Sequence, residues 1–240
     1  MHADHPTHLY IVRHGETLSN VKGFMGGWTD TPITPRGMEQ AWAAGRALAG
    51  ITFDAAFTSD LGRARTTALA IVEAGDSALV PEPLTELREW NFGRFEGRPP
   101  LEMWSTLMDH LGIDYLPAEV QARSFWGNLE FIKDQKSVGD EGVIDALVEV
   151  DPTGSGEGWA TYSDRLHRAV THLGAAAQHS PGGNILVVSH GATIRTLLTL
   201  VDPAGYNGED VGNASISHLT YHVHDGRFSI HSIGEMREAY

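Results

Sequence analysis

Cysteine is absent from the 240 residues. That excludes disulfides, thiolate nucleophiles and cysteine-ligated zinc or iron–sulfur centres, and it suits a reducing, cytoplasmic compartment. Basic residues are scarce: 17 Lys and Arg stand against 31 Asp and Glu, for a formal net charge of −14. A chain so charged is a poor partner for nucleic acid or an anionic membrane. No apolar run approaches the roughly 20 residues that cross a bilayer. The opening MHADHPTH lacks the basic and apolar regions of a secretory signal. What is present is a globular composition, 41% hydrophobic and 20% charged, with length enough for a substantial core.

The elements alternate. Residues 9–12 (LYIV) read as a buried strand. Residues 34–50 predict a helix, with Thr34 as cap, Pro35 at its first position and Gly50 at its end. Met38, Ala41, Trp42, Gly45, Leu48 and Ala49 form its expected inner face. A strand is expected at 54–58, and a helix at 60–74 with Ala64, Ala68, Ile71 and Val72 inward. Leu101, Trp104, Met108 and Leu111 suit a helix, whereas 112–158 mixes Pro, Gly, Asp and scattered aromatics and reads as partly helical and irregular. A long helix follows at 159–178, then a strand at 185–189 and a helix at 192–201. A hairpin closes the chain, turning at Asp225-Gly226 before RFSIHSI. Such alternation predicts a three-layer α/β/α fold with a mostly parallel central sheet, one domain over 1–240 carrying an inserted lid-like lobe at about 100–158.

One phrase occurs twice. LYIVRHG, residues 9–15, and ILVVSHG, residues 185–191, each run from an apolar strand into His-Gly. The chain has 13 histidines, so a single one carries no argument; two at the carboxyl ends of strands do. In open α/β sheets that edge faces the ligand. Strands side by side bring His14 and His190 into one small space, while Gly15 and Gly191 let backbone approach a ligand. Arg13 precedes the first histidine. Arg63 lies in TSDLGRARTTA, another strand-to-helix junction. Two imidazoles beside two guanidiniums suit a phosphate, with one imidazole as nucleophile and the other as hydrogen-bond donor. A departing oxygen needs a proton, for which Glu89 in LTELREWNFGRFEG is the candidate, with Glu86 and Glu96 as neighbouring alternatives. A carboxyl group beside a bound dianion keeps its proton to higher pH, as a general acid requires.

These motifs resemble, in order, those of the histidine phosphatase superfamily, which includes cofactor-dependent phosphoglycerate mutases and many phosphatases. Arg13-His14-Gly15-Glu16-Thr17 matches R-H-G-E-T, residues 20–34 resemble the stretch that follows it, and Ser59 through Arg63-Ala64 resembles S-x-L-x-R-A. LREWNFGRFEG is similar to the acid loop, Ser189-His190-Gly191 to the second histidine motif, and Asn213-Ala214-Ser215 to a late Asn-x-Ser element. The likeness covers 9–101 and 157–224. It implies that His14 becomes a phosphohistidine, that Glu89 protonates the leaving alcohol and then activates water, and that Arg13, Arg63 and His190 hold the phosphoryl oxygens. Asn20 either adds a hydrogen bond there or caps a turn. The resemblance implies no cofactor and no metal.

The expected partner is therefore a small phosphorylated substrate, and a homo-oligomer is compatible with the sequence. Phosphatase activity is the leading expectation and a phosphoglycerate mutase the alternative. The mutases carry, after the acid loop, a Glu-Arg-type start and a paired-Arg stretch running into prolines; this chain has Glu89-Trp90 and later Arg98-Pro99-Pro100, which favours hydrolysis. A catalytically inactive phosphate-binding module is the third reading. Elsewhere, His2, His5 and His8 read as a mobile start rather than a metal site, and His218, His222 and His224 as solvent-facing. Arg123, Lys133 and Lys136 read as surface residues, with a second substrate anion as the alternative.

Overall fold

The computed structural model describes residues 5–206 and 208–236; His2 lies outside them. The described chain divides into two compact units. The first holds the residues through Leu18, Asp30–Glu89 and those from Arg165 onward; the second holds Ser19–Thr29 and Trp90–Asp164. The segment expected as a lobe, 100–158, falls within the second.

The first unit is built on one sheet. Its strands are β1 (Thr7–Arg13), β2 (Ala55–Ser59), β3 (Glu82–Leu84), β4 (Asn184–Ser189), β5 (Ile216–His222) and β6 (Arg227–Glu235), in the spatial order β3-β2-β4-β1-β5-β6. β3, β2, β4 and β1 pair in parallel, and β5 runs against both its neighbours. β4 is buried almost throughout, which is why NILVVS is a continuous apolar run rather than an alternating one.

Helices α2 (Pro35–Ala47) and α3 (Gly62–Ala74) cover one face. Ala44, Leu48, Ala64, Ala68 and Ile71 pack there with Val12, Ala56, Leu186 and Val188. Thr34 caps α2 as its sequence predicts, its Oγ1 accepting the Gly37 amide at 3.0 Å. The inner stripe differs from expectation. It is Gly37, Ala41, Ala44, Gly45 and Leu48, while Trp42 is 39% exposed and Ala49 is exposed. At roughly 100° per residue, positions 42 and 49 stand about 100° round from 41 and 48, off the core line. The opposite face is covered by α8 (Trp159–Gln178), from Arg165 on, and α9 (Gly191–Val201). Val170, Leu173, Leu197 and Val201 meet Leu9, Ile11 and Leu219 there. The α/β/α layering follows.

Two histidine expectations change. His8 belongs to β1, not to a loose start, and its Nδ1 lies 3.0 Å from His218 Nε2. His218 also stacks flat on Tyr10, centroids 4.7 Å apart. Burial, then the neighbouring His8 and His231, push His218 down to about 4. His222 is half-buried and meets Ser229 Oγ, whereas His224 is exposed. Antiparallel pairing of β5 with β1 and β6 sets these rings across one sheet face, where a lone strand would have left them wet.

α1 (Leu18–Lys22) enters the second unit at Ser19, and α4 (Pro100–His110), α5 (Pro117–Ala122), α6 (Phe125–Lys136) and α7 (Asp140–Glu149) follow. The segment 112–158 is thus more helical than it reads. Helices this short are held by packing, not by propensity, so their apolar spacing is a weak signal. Met103, Trp104, Leu107, Met108, Leu129, Ile132, Val143 and Leu147 form their buried residues. Lys133 bridges Glu130 and Asp140, and Arg123 lies over Phe131. Among the described residues no helix is long and apolar enough to cross a membrane.

Candidate active site

β1 and β4 are parallel neighbours with Arg13 paired to Ser189. The next residue of each is histidine. His14 and His190 therefore leave adjacent strands at the same level, and the His14 amide donates to the Ser189 carbonyl at 2.9 Å. Their rings meet edge to face, centroids 5.1 Å apart. The repeated strand-His-Gly phrase is this register.

His14 Nδ1 lies 2.8 Å from the Gly15 carbonyl. A carbonyl oxygen only accepts, so that partner assigns the proton to Nδ1. Nε2 keeps its lone pair, to which Arg63 Nε donates at 3.3 Å. Burial, then the charges of Arg63 and Arg13, hold the imidazole well below the usual histidine range. A neutral ring with a directed lone pair can act as a nucleophile. His190 is fully buried and is held down likewise, by burial first and then by Arg63, His14, Arg13 and Arg165. Neither of its ring nitrogens has a hydrogen-bond partner among the described residues. A buried polar atom without a partner costs free energy, and a phosphoryl oxygen would supply one.

Arg63 is held by a carboxylate and Arg13 by a backbone carbonyl. Arg63 sits in the first turn of α3, just beyond β2, and is 3% exposed. Its Nη1 meets Asp30 Oδ1 at 3.2 Å, and Asp30 also accepts the amides of Gly62 and Arg63. Leu61 at the cap position offers no acceptor side chain, so Asp30 caps α3 from a distance while orienting the guanidinium. Arg13 donates from Nη1 to the Val211 carbonyl at 2.6 Å, and its Nε has no partner among the described residues. Burial lowers its pKa, opposed by Glu89 and Asp210.

The two glycines stand in different packing environments. A Cβ on Gly15 would lie 2.3 Å from the Gly37 carbonyl oxygen, so Gly15 lets the His14 turn touch α2. A Cβ on Gly191 would rest 3.4 Å from Arg13 Cζ, an ordinary contact, so space alone does not demand glycine there.

Glu89 is 8% exposed. Its Oε2 accepts the Ala192 amide and its Oε1 the Thr193 amide, both at 3.0 Å, at the start of α9. The carboxyl thus docks on the helix that follows His190. Glu96 is otherwise engaged: it accepts the amides of Gly27, Trp28, Thr29 and Phe92 within the second unit. Glu86 is half-buried, with Thr85 Oγ1 donating to its Oε2 at 3.2 Å.

Arg13, His14, Arg63, Glu89 and His190 all belong to the first unit; Asn20 belongs to the second, on α1, where it is exposed. Asn213 Nδ2 donates to the His14 carbonyl at 3.0 Å, and the Ala214 amide to the Arg13 carbonyl at 3.0 Å. The late Asn-Ala-Ser element thereby pins the end of β1, with Ala214 at φ +55°. Glu16 anchors α2, accepting from Thr34 Oγ1 at 2.8 Å. Asp30, Thr193 and Arg165 have functional partners that sequence reasoning did not single out. Only Asp30 stood inside a noted motif. Among the described residues no three histidine, aspartate or glutamate side chains group as a metal ion would require.

The model of the histidine phosphatase superfamily (branch 1) matches residues 9–115 and 130–235. The chain is 32% identical over 190 residues to an adenosylcobalamin/alpha-ribazole phosphatase of Escherichia coli, covering 79% of this chain and 76% of the relative. It is 31% identical over 211 residues to a 2,3-bisphosphoglycerate-dependent phosphoglycerate mutase of Mesorhizobium japonicum, covering 85% and 84%. The crystal structure of a phosphoglycerate mutase from Bacillus anthracis str. Sterne is similar at a TM-score of 0.81 and 33% identity, covering 97% of this chain and 95% of that one.

Proposed function

The chain belongs to the histidine phosphatase superfamily (branch 1), and on that premise we propose that it is a phosphatase hydrolysing a small phosphomonoester through a phosphohistidine on His14, with the cytoplasm as its compartment. The observation that carries the reading is the His14 tautomer: Nδ1 is tied to the Gly15 carbonyl and Nε2 presents its lone pair to Arg63, beside a second imidazole whose nitrogens are unpartnered.

In the first step Nε2 forms the N–P bond as the P–O bond to the alcohol breaks, and Glu89 gives its proton to the departing oxygen. Arg63 exchanges its contact with Nε2 for a phosphoryl oxygen as the ester binds, which frees the lone pair for that bond. Arg13 and His190 donate to the other oxygens. In the second step Glu89, now a carboxylate, takes a proton from water; the oxygen attacks phosphorus, and the P–N electron pair returns to Nε2. Ester and water give alcohol and phosphate. Fixed guanidiniums and imidazoles supply the charge stabilisation. The net charge of −14 is tolerable, since distant surface carboxylates are screened beyond about 8 Å.

A mutase is the second reading, favoured by the likeness to the Bacillus anthracis structure over nearly the whole chain. Against it, Arg98 of the Arg-Pro-Pro stretch is largely exposed and bridges Glu102 at 3.9 Å. The test is purified protein with p-nitrophenyl phosphate in a chelator. Steady phosphate release supports the phosphatase; no release leaves an inactive phosphate-binding module. Faster conversion of 3-phosphoglycerate to 2-phosphoglycerate than to free phosphate, with a bisphosphate primer, would make it a mutase.

A further inference from the structure

Four consecutive carbonyls, those of residues 86–89, accept hydrogen bonds from side chains. Arg165 Nη1 donates to Glu86 at 2.9 Å and to Arg88 at 2.7 Å, and its Nη2 donates to Glu89 at 3.1 Å. Ser189 Oγ donates to Leu87 at 2.8 Å, and Thr193 Oγ1 to Arg88 at 2.7 Å. Arg165 stands on α8 and is only 6% exposed. Ser189 and Thr193 flank His190. The segment that delivers Glu89 lies past the end of β3, beyond any strand ladder, so these side chains set its path.

The geometry is specific to arginine. A planar guanidinium offers donors in a fixed fork, here spread over three carbonyls of the 3-10 turn at Thr85–Leu87 and the two residues after it; an ammonium is a compact point charge without that fork. At the other end of the residue, the Glu89 carboxyl is seated on the Ala192 and Thr193 amides. Loss of the clamp frees the backbone end, and a carboxyl displaced by an ångström is a poorer proton donor.

We infer that Arg165 is a positioning residue, aiming the Glu89 carboxyl at the departing oxygen through three backbone carbonyls; the inference rests on the phosphatase reading. It predicts an effect on proton delivery rather than on binding. Phenyl phosphate needs that proton, whereas p-nitrophenolate leaves with little help. In R165M, kcat for phenyl phosphate should fall about tenfold more than kcat for p-nitrophenyl phosphate, with both KM values unchanged. R165K keeps the charge without the fork and should fall between R165M and wild type. The ratio of the two kcat values does not depend on the fraction of folded enzyme, so damage to folding alone leaves it at the wild-type value. Should R165M not fold, R165K supplies the same ratio. An unchanged ratio in R165K or R165M, with wild type active on both esters, overturns the role of Arg165 alone. A wild type inert on both esters overturns the phosphatase reading and this role with it.

Discussion

Alanine at position 15 tests how the His14 turn is held. A Cβ there would stand 2.3 Å from the Gly37 carbonyl oxygen and 3.0 Å from its carbon. Ordinary contact is about 3.4 Å, so the turn or the first turn of α2 must retreat by about 1 Å. Neither yields freely. The Gly15 amide donates to Thr67 Oγ1 at 3.0 Å, and the Glu16 amide to Gln40 Oε1 at 2.9 Å. Overpacking of this kind costs about 1–3 kcal/mol. A 1 Å displacement of a reacting atom costs on the order of 100-fold in rate. Gly15→Ala should therefore lose about 1–3 kcal/mol in urea unfolding and about 100-fold in kcat toward p-nitrophenyl phosphate. Gly191→Ala is the matched control: its Cβ would meet the Arg13 guanidinium at 3.4 Å, an ordinary contact, so stability and rate should stay near wild type. If Gly15→Ala matches wild type in both assays, or if Gly191→Ala is the more damaging, the packing argument for the first glycine is wrong.

Glu89→Gln should slow phenyl phosphate far more than p-nitrophenyl phosphate, whereas Glu96→Gln, which weakens acceptors for four amides, should lower the urea midpoint and leave the leaving-group ratio alone; the reverse pattern would transfer the acid to Glu96. Acid should destabilise the fold. His218 titrates near 4 in the native chain against the usual 6.5, so between those values the unfolded chain binds its proton first and stability falls as pH falls. For this half-exposed ring the loss is on the order of 1 kcal/mol after solvent screening. His218→Gln should flatten that part of the urea midpoint's pH dependence, and an unaltered profile would show that the ring does not report there.

Five of the six described strands and the two histidines were legible because apolar runs and strand-end position leave local marks; β3, three residues with Pro83 at its centre, left none. The start of α2 was legible for the same reason, since Thr34 and Pro35 act within one turn; its end was not, for the helix stops at Ala47 with Leu48 as cap, before the expected Gly50. Trp42 was misplaced because a lone tryptophan looks like core wherever it falls near an apolar stripe. Helices α5, α6 and α7 were not legible: α5 has only six residues, α6 buries Asn128 while leaving Phe125, Trp126 and Phe131 half-buried, and α7 opens on Asp-Glu-Gly. Arg165 was hidden for a deeper reason. Its partners are carbonyls 76 to 79 residues away, and a bond to backbone leaves no trace in side-chain identity. Asp30 likewise acts on an amide and a guanidinium 32 and 33 positions on.

The most direct measurement is an acid-sparing, alkaline quench of enzyme mixed with a slow phosphomonoester, followed by mapping of the modified residue. The account predicts a base-stable, acid-labile phosphoryl group on Nε2 of His14 in wild type and none in His14→Ala, which should also lose turnover while unfolding as wild type does. A phosphoryl group on another residue, or turnover at the wild-type rate in His14→Ala, would contradict it.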